Sequence, residues 1–284
     1  MTPKSLNSEL SHELIQICNV NYNESLFDAF LTNTPLDKLF SVKDNGGIPK
    51  ATNWMIVGDP GVGKSSVVLD VLSNVKQSGA KVLFISAEMN RVDLYLYVQR
   101  YPKFGKIDIL FPQEIDDDTD IRKVIENVLD IGWDVVMIDS FVELQSTIKE
   151  NIGMSSNSVE KYMLNLMFKH NMAQNKLKKY TSFLNIQQVN KGGVFTGSNK
   201  LKHATTGMME IRFVDDTQED RYIVFTKNRR GDVGKQLYFD LSTKGDVKYD
   251  YERFKKNEKI KELKKKEKEK LNADDIKFSE LFKS

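Results

Sequence analysis

Residues 54–79 read "WMIVGDPGVGKSSVVLDVLSNVKQSG". An apolar run of β-type residues stops at a glycine, a tight glycine-spaced turn follows, and a helix-forming stretch begins. The turn matches G-x-x-x-x-G-K-[ST] at every defined position and sits in the strand-then-helix context which that pattern requires. Gly58, Asp59, Pro60, Gly61, Val62, Gly63, Lys64, Ser65 and Ser66 therefore read as a phosphate-binding loop. Its glycines let backbone N–H groups turn inward around a β-phosphate, and the helix N-terminus adds its dipole. Lys64 is placed to reach β- and γ-phosphates and Ser65 to hold Mg²⁺, so the expected ligands are ATP and Mg²⁺.

Working outward, short apolar runs alternate with helix-length segments from about Trp54 to Leu241: "WMIVG", "KVLFIS", "IDILF", "DVVMIDS", "TSFLNIQQV", "MMEIRFV", "YIVFTK" and "QLYFDL". The spacing of the first five predicts a mostly parallel central sheet with helices on both faces. The last three follow one another through turn signals and are expected to be antiparallel. The fold class is thus α/β. Residues 51–250 are expected to form the core, after a helical and linker segment at 1–50 and before a lysine-rich tail at 251–284. Residues 1–35 suggest one or two amphipathic helices. Within them Leu26, Phe27 and Phe30 either cover the chain's own core, the favoured reading, or pack on a neighbouring subunit.

Composition narrows the classes. Of 284 residues, 40% are hydrophobic and 29% charged, the mix of a soluble globular chain. No apolar run approaches the roughly 18 residues needed to cross a bilayer, and the N-terminus lacks a signal-peptide pattern, so a cytoplasmic protein without a membrane partner is expected, in the host cytoplasm if a virus encodes it. One cysteine, Cys18, excludes an intramolecular disulfide, and three histidines without zinc spacing argue against a protein-built metal site. The tail from 252 to 284 carries 12 Lys/Arg against 8 Asp/Glu, leaving 30 against 32 elsewhere. Its "ERFKKNEKIKELKKKEKEKL" has almost no apolar face and reads as a solvated helix or a disordered linker. It leads to "DDIKFSELF", which could dock on a replication or recombination protein; a direct electrostatic tether to DNA is the other reading.

Two carboxylates stand where a phosphate loop needs them. Asp139 ends the buried run "DVVMID" and can accept from a magnesium-bound water beside the loop. Glu88 lies just past "KVLFIS", beyond a strand's carboxyl end, where ligands of open α/β sheets bind. It either activates the water that attacks the γ-phosphorus or caps the next helix.

The ordered set "TPLDKLF", "GDPGVGKSS", "KVLFISAEM", "DVVMIDS", "NIQQVNKGGVFTGSNKLKHATTGMMEIRF" and "FTKNRRGDVG" resembles the RecA-like ATPase cores of the bacterial RadA branch-migration proteins and DnaB-type replicative helicases. The likeness covers about residues 34–241, and its second half is closest to RadA. The resemblance implies Glu88 as catalytic carboxylate, Asp139 as magnesium partner and Gln188 as the residue that senses the γ-phosphate. It also implies Lys227 and Arg229 as cations that reach the ATP of a neighbouring subunit; on the residues alone they are an exposed basic hairpin. The segment after Gln188, with Lys191, Lys200 and Lys202 among glycines, is implied to grip DNA; otherwise it is a solvated loop. With one cysteine, a lysine-rich tail and only about 50 residues ahead of the core, this sequence is not expected to carry RadA's four-cysteine zinc module and peptidase-like domain or DnaB's helical primase-interacting domain.

The function expected is a DNA-dependent ATPase, of helicase or branch-migration type, working as a ring, by expectation a hexamer, or as a filament on single-stranded or branched DNA. Two other readings stay open: a RecA-class strand-exchange recombinase, and a KaiC-like nucleotide-switched scaffold that binds protein and no DNA.

Overall fold

Alternate residues of the central strands face opposite sides of the sheet, and both sides are apolar. The computed structural model of the chain describes residues 16, 24–43, 45–188, 199–242 and 247–281, apart from the side chains of 199, 200, 265 and 268–281. Within them the strands are β1 (Ala29–Phe30), β2 (Ile48–Pro49), β3 (Asn53–Gly58), β4 (Val82–Ser86), β5 (Asp108–Leu110), β6 (Val135–Asp139), β7 (Ser182–Gln188), β8 (Gly207–Phe213), β9 (Arg221–Asn228), β10 (Gln236–Leu241) and β11 (Val247–Tyr249). The helices are α1 (Asp37–Phe40), α2 (Lys64–Gln77), α3 (Arg91–Arg100), α4 (Ile121–Leu129), α5 (Phe141–Ile152), α6 (Ser156–Asn171), α7 (Asn199–Ala204) and α8 (Tyr251–Leu281).

Nine strands form one sheet in the order β11-β10-β9-β8-β3-β7-β6-β4-β5. On one face Trp54, Ile56, Met137, Leu184 and Ile186 pack with Val67, Val71 and Leu72 of α2. On the other, Met55, Val57, Ile85, Val136, Ile138 and Phe183 meet apolar stripes from α4, α5 and α6. The α/β class, the parallel centre and the helices on both faces are as the sequence led us to expect. Each of the eight apolar runs contains a strand of this sheet.

The last three runs pair antiparallel with one another, as expected. The sequence did not show that β8 also lies parallel to β3, with Trp54 opposite Gly207 and Gly58 opposite Ile211. Antiparallel pairing starts only at β8–β9 and continues through β10 and β11. A parallel neighbour needs a long connection, and β7 ends at Gln188 whereas β8 begins only at Gly207.

Of the helices expected within residues 1–35, positions 1–15 and 17–23 lie outside the described residues; in the described part, Glu24–Phe27 form a single 3₁₀ turn and Ala29–Phe30 pair with Ile48–Pro49. Phe30 packs on the core, whereas Phe27 stays 45% exposed. Behind this segment Phe40 and Phe225 meet Trp54 edge-on, with ring centroids 5.1 and 5.3 Å away. Such pairs add about 0.5–1.5 kcal/mol beyond burial. The lysine-rich tail is helical from Tyr251 to Leu281, and its first turn is partly packed: Phe254 is 6% exposed, and the Arg253 guanidinium lies 3.5 Å from the centroid of the Tyr238 ring.

Candidate nucleotide site

Four strands that are neighbours in the sheet, β3, β7, β6 and β4, run parallel, so their carboxyl ends lie together. Register aligns them closely: Gly58 is opposite Gln188, and Ser86 is opposite Asp139. At the usual strand spacing this gathers the ends within about 15 Å. A cavity of about 380 Å³ opens there, and Gly61, Lys64, Ser65, Glu88, Asp139 and Gln188 all line it.

The loop has its shape for steric reasons. A Cβ on Gly58 would meet the Ile211 carbonyl oxygen at 2.1 Å, so this end of β3 approaches β8 only without a side chain. Gly63 has φ +99°, a left-handed value that favours glycine, and it caps α2 with no side-chain partner for the first amides. Those N–H groups and the dipole are available to an anion. Lys64 Nζ donates to the carbonyls of Gly58 and Asp59, both at 3.0 Å. Burial pulls the Lys64 pKa below its ordinary value, while Asp139, Glu88 and Asp59 pull it back up.

Ser65 Oγ donates to Asp139 Oδ2 at 2.5 Å. Asp139 is 1% exposed, and its other oxygen, Oδ1, is buried without a hydrogen-bond partner. Burial pushes this carboxyl up to about 6, opposed by the Ser65 hydrogen bond, raised further by Glu88 and lowered by Lys64. A hydroxyl and an orphaned carboxylate oxygen side by side form a hard-oxygen donor set of the kind Mg²⁺ takes. These residues fit the metal: Ser65 would hold it and Asp139 would accept from its water.

Glu88 is exposed toward the cavity, and its backbone N–H donates to the Asp139 carbonyl at 3.1 Å. It is not the cap of the next helix. Asn90 has that role, accepting from the N–H of Val92 and Asp93 at 2.8 and 3.0 Å, with Asp93 completing the capping box. Gln188 Nε2 donates to Glu88 Oε2 at 3.3 Å.

Lys227 and Arg229 are brought together, but not here. Lys227 pairs with Met208 near the start of β8, and Trp54, at the start of β3, is opposite Gly207. The two cations therefore sit at the far end of the sheet from their own phosphate loop, about 13 Å away along the strand alone. Lys227 donates to the carbonyls of Lys202 and Thr205, and Arg229 donates to that of His203 at 3.0 Å. Of the candidate DNA contacts, Lys202 lies on α7; Lys191 and the side chain of Lys200 lie outside the described residues.

Other residues at the site carried no sequence motif. Tyr97 and Arg100, three apart on α3, and Leu241 of β10 complete the cavity wall. Arg212 of β8 reaches the loop itself, with Nη1 3.1 Å from Asp59 Oδ1. Strand alternation in "MMEIRF" turns Arg212 away from the core; its meeting with the loop depends on the β3–β8 pairing.

The fold is of the RecA-like α/β class, with a loop of phosphate-binding pattern at the ends of its central strands. Similarity to known proteins agrees with that class. The chain is 26% identical over 200 residues to the DNA repair protein RadA of Campylobacter jejuni, an alignment covering 70% of this chain and 42% of that protein. It is 26% identical over 235 residues to the DNA repair protein RadA of Streptococcus pneumoniae, covering 83% of this chain and 51% of that one. The chain thus spans about half the length, or less, of the curated relatives it matches. No family model matches it. Among solved structures, a KaiC-like protein of Pyrococcus horikoshii superposes with a TM-score of 0.59 at 17% identity, over 78% of this chain and 99% of that one. The flagellar accessory protein FlaH of Methanocaldococcus jannaschii superposes at 0.55 and 14%, over 78% and 96%. Among the described residues no helix is long and apolar enough to cross a membrane.

Proposed function

We propose that the chain is a magnesium-dependent ATPase that works as an oligomer on single-stranded or branched DNA, in recombination, repair or replication. The observation that carries the ATPase reading is the convergence of Lys64, the Ser65–Asp139 pair, Glu88 and Gln188 on one cavity at the ends of four adjacent strands. The RadA relatives are DNA repair proteins by name, which supports the DNA reading. Residues 51–250 would be the motor, and 1–50 and 251–284 its appendages, the tail being available to a partner protein. The setting would be cytoplasmic.

The amides of Gly61 to Ser65 hold the β-phosphate, and Lys64 transfers from the Gly58 and Asp59 carbonyls to the β- and γ-oxygens. Tyr97 and Leu241 offer apolar walls to the base and ribose. Mg²⁺, when bound, would offset charge on the β- and γ-phosphates. Glu88 accepts the proton of the attacking water, and Gln188, hydrogen-bonded to it, orients the carboxylate and can donate to a γ-oxygen. Lys227 and Arg229, at the far end of the sheet, serve the site of the next subunit, where they stabilise charge on the transferred group. A ring, a hexamer by expectation, or a filament follows from that division. Lys191, Lys200 and Lys202 would meet DNA phosphates.

The test is ATP turnover by the full chain with Mg²⁺, with and without single-stranded DNA at two salt concentrations, beside unwinding of a forked duplex and mass in solution. The proposal expects stimulation by DNA that weakens with salt. Joint-molecule formation with little unwinding would favour a recombinase, and DNA-indifferent turnover a protein scaffold.

A further inference from the structure

Asp59 is an acidic residue within a loop built to receive a polyanion. Its carbonyl oxygen accepts from Lys64 at 3.0 Å, and its carboxylate accepts from Arg212 Nη1 at 3.1 Å. Arg212 reaches it because Ile211, the preceding residue, is opposite Gly58 across the β3–β8 pair. The guanidinium is held in place from behind. Its Nε and Nη2 both donate to Glu210 Oε2 at 3.1 Å, and Glu210 Oε1 accepts from Thr226 Oγ1 at 3.1 Å. Thr226 falls at the irregularity in the β8–β9 register, where Lys227 is opposite Met208 but Phe225 is opposite Met209. Arg212 is only 21% exposed, and its charge acts on Lys64. One cation thus lies between two carboxylates, those of Asp59 and Glu210, at the rim of the phosphate loop.

We infer that Arg212 is a positioning residue for the nucleoside triphosphate: it holds the Asp59 carboxylate on the β8 side of the loop and cancels its charge against the incoming phosphates. Without Arg212, the Asp59 carboxylate of the loop is left unscreened beside the phosphates, and a triphosphate, with its greater charge, is repelled more than a diphosphate. The inference rests on Gly58–Ser66 being the nucleotide site, and Lys64→Ala tests that premise separately.

The experiment measures equilibrium binding of fluorescent, non-hydrolysable ATP and of fluorescent ADP to the full chain, at fixed Mg²⁺ and salt. Arg212→Gln is expected to raise the Kd for the ATP analogue about tenfold and that for ADP about threefold, and Asp59→Asn in the same chain to restore the ATP value to within about threefold. Asp59→Asn alone, which leaves the Arg212 cation in place, is expected to bind the ATP analogue about threefold more tightly. A merely structural role would weaken both nucleotides equally and would not be rescued by the second substitution; either result overturns the inference. An unchanged Kd in Arg212→Gln, while Lys64→Ala loses binding, overturns it and leaves the nucleotide site standing. If the wild-type chain binds neither nucleotide, or Lys64→Ala binds as well as wild type, the site reading fails and the inference with it. Should Arg212→Gln not fold, Asp59→Asn decides alone, weaker ATP binding counting against the proposal.

Discussion

Gln188 Nε2 donates to Glu88 Oε2 across 3.3 Å, joining the ends of β7 and β4 over the intervening strand β6, which ends in Asp139. The proposed γ-phosphate contact and the proposed general base are therefore in one hydrogen-bonded unit. Glu88→Gln is expected to lower kcat by about 10²- to 10⁴-fold with little change in nucleotide affinity, because only the proton-accepting step is lost. Gln188→Ala is expected to lower kcat by at least about tenfold, also with affinity retained. Steady-state turnover beside equilibrium binding checks both, and a Gln188→Ala chain with normal kcat would show that the contact is incidental.

Asp139 makes stability depend on pH in an uncommon direction for a carboxylate. Burial pushes its folded pKa up to about 6, above the ordinary aspartate value of 3.8, so the folded state holds the proton more tightly than the unfolded state does. The associated stabilisation is present below the unfolded value and is lost as pH rises through about 6. Without Mg²⁺, Asp139→Asn is expected to be more stable than wild type at pH 7.5, by up to about 3 kcal/mol. The difference should vanish near pH 4, and Mg²⁺ with nucleotide should stabilise wild type more than the variant. Denaturant melts at the two pH values, with and without the metal, check this.

Trans action by Lys227 and Arg229 is open to complementation. Arg229→Ala is expected to bind nucleotide and turn over at least about 10³-fold more slowly. Glu88→Gln is inactive through its own site but keeps its cations. Mixed under exchange conditions, the two variants are expected to regain turnover, since some junctions combine an intact Glu88 with an intact Arg229. Absence of any recovery would return these cations to a role within one chain, namely holding the carbonyls at the end of α7.

The tail divides at a point that the charge pattern did not mark. Removing residues 265–284 is expected to leave ATP turnover and melting temperature nearly unchanged. Phe254→Ala, in contrast, removes a 6% exposed ring from the core and is expected to cost about 3 kcal/mol. Thermal melts of the two variants check the assignment, and loss of turnover in the folded truncation would give the distal helix a role in catalysis.

The sequence alone determined the layered α/β class, the phosphate loop and the strand ends that bear Glu88, Asp139 and Gln188. These rest on local signals: apolar runs bounded by turn residues, and a loop pattern that needs glycine at fixed positions. Tertiary structure decided the rest. It made β8 parallel to β3, paired Ala29–Phe30 with Ile48–Pro49 and seated Phe254 in the core, because elements of a few residues have no conformation of their own until a neighbour supplies partners for their backbone. It also placed Arg212 at the phosphate loop. Alternation in "MMEIRF" says that Arg212 faces away from the core, but a charge finds its function through what lies beside it, and Asp59 is 153 residues distant along the chain.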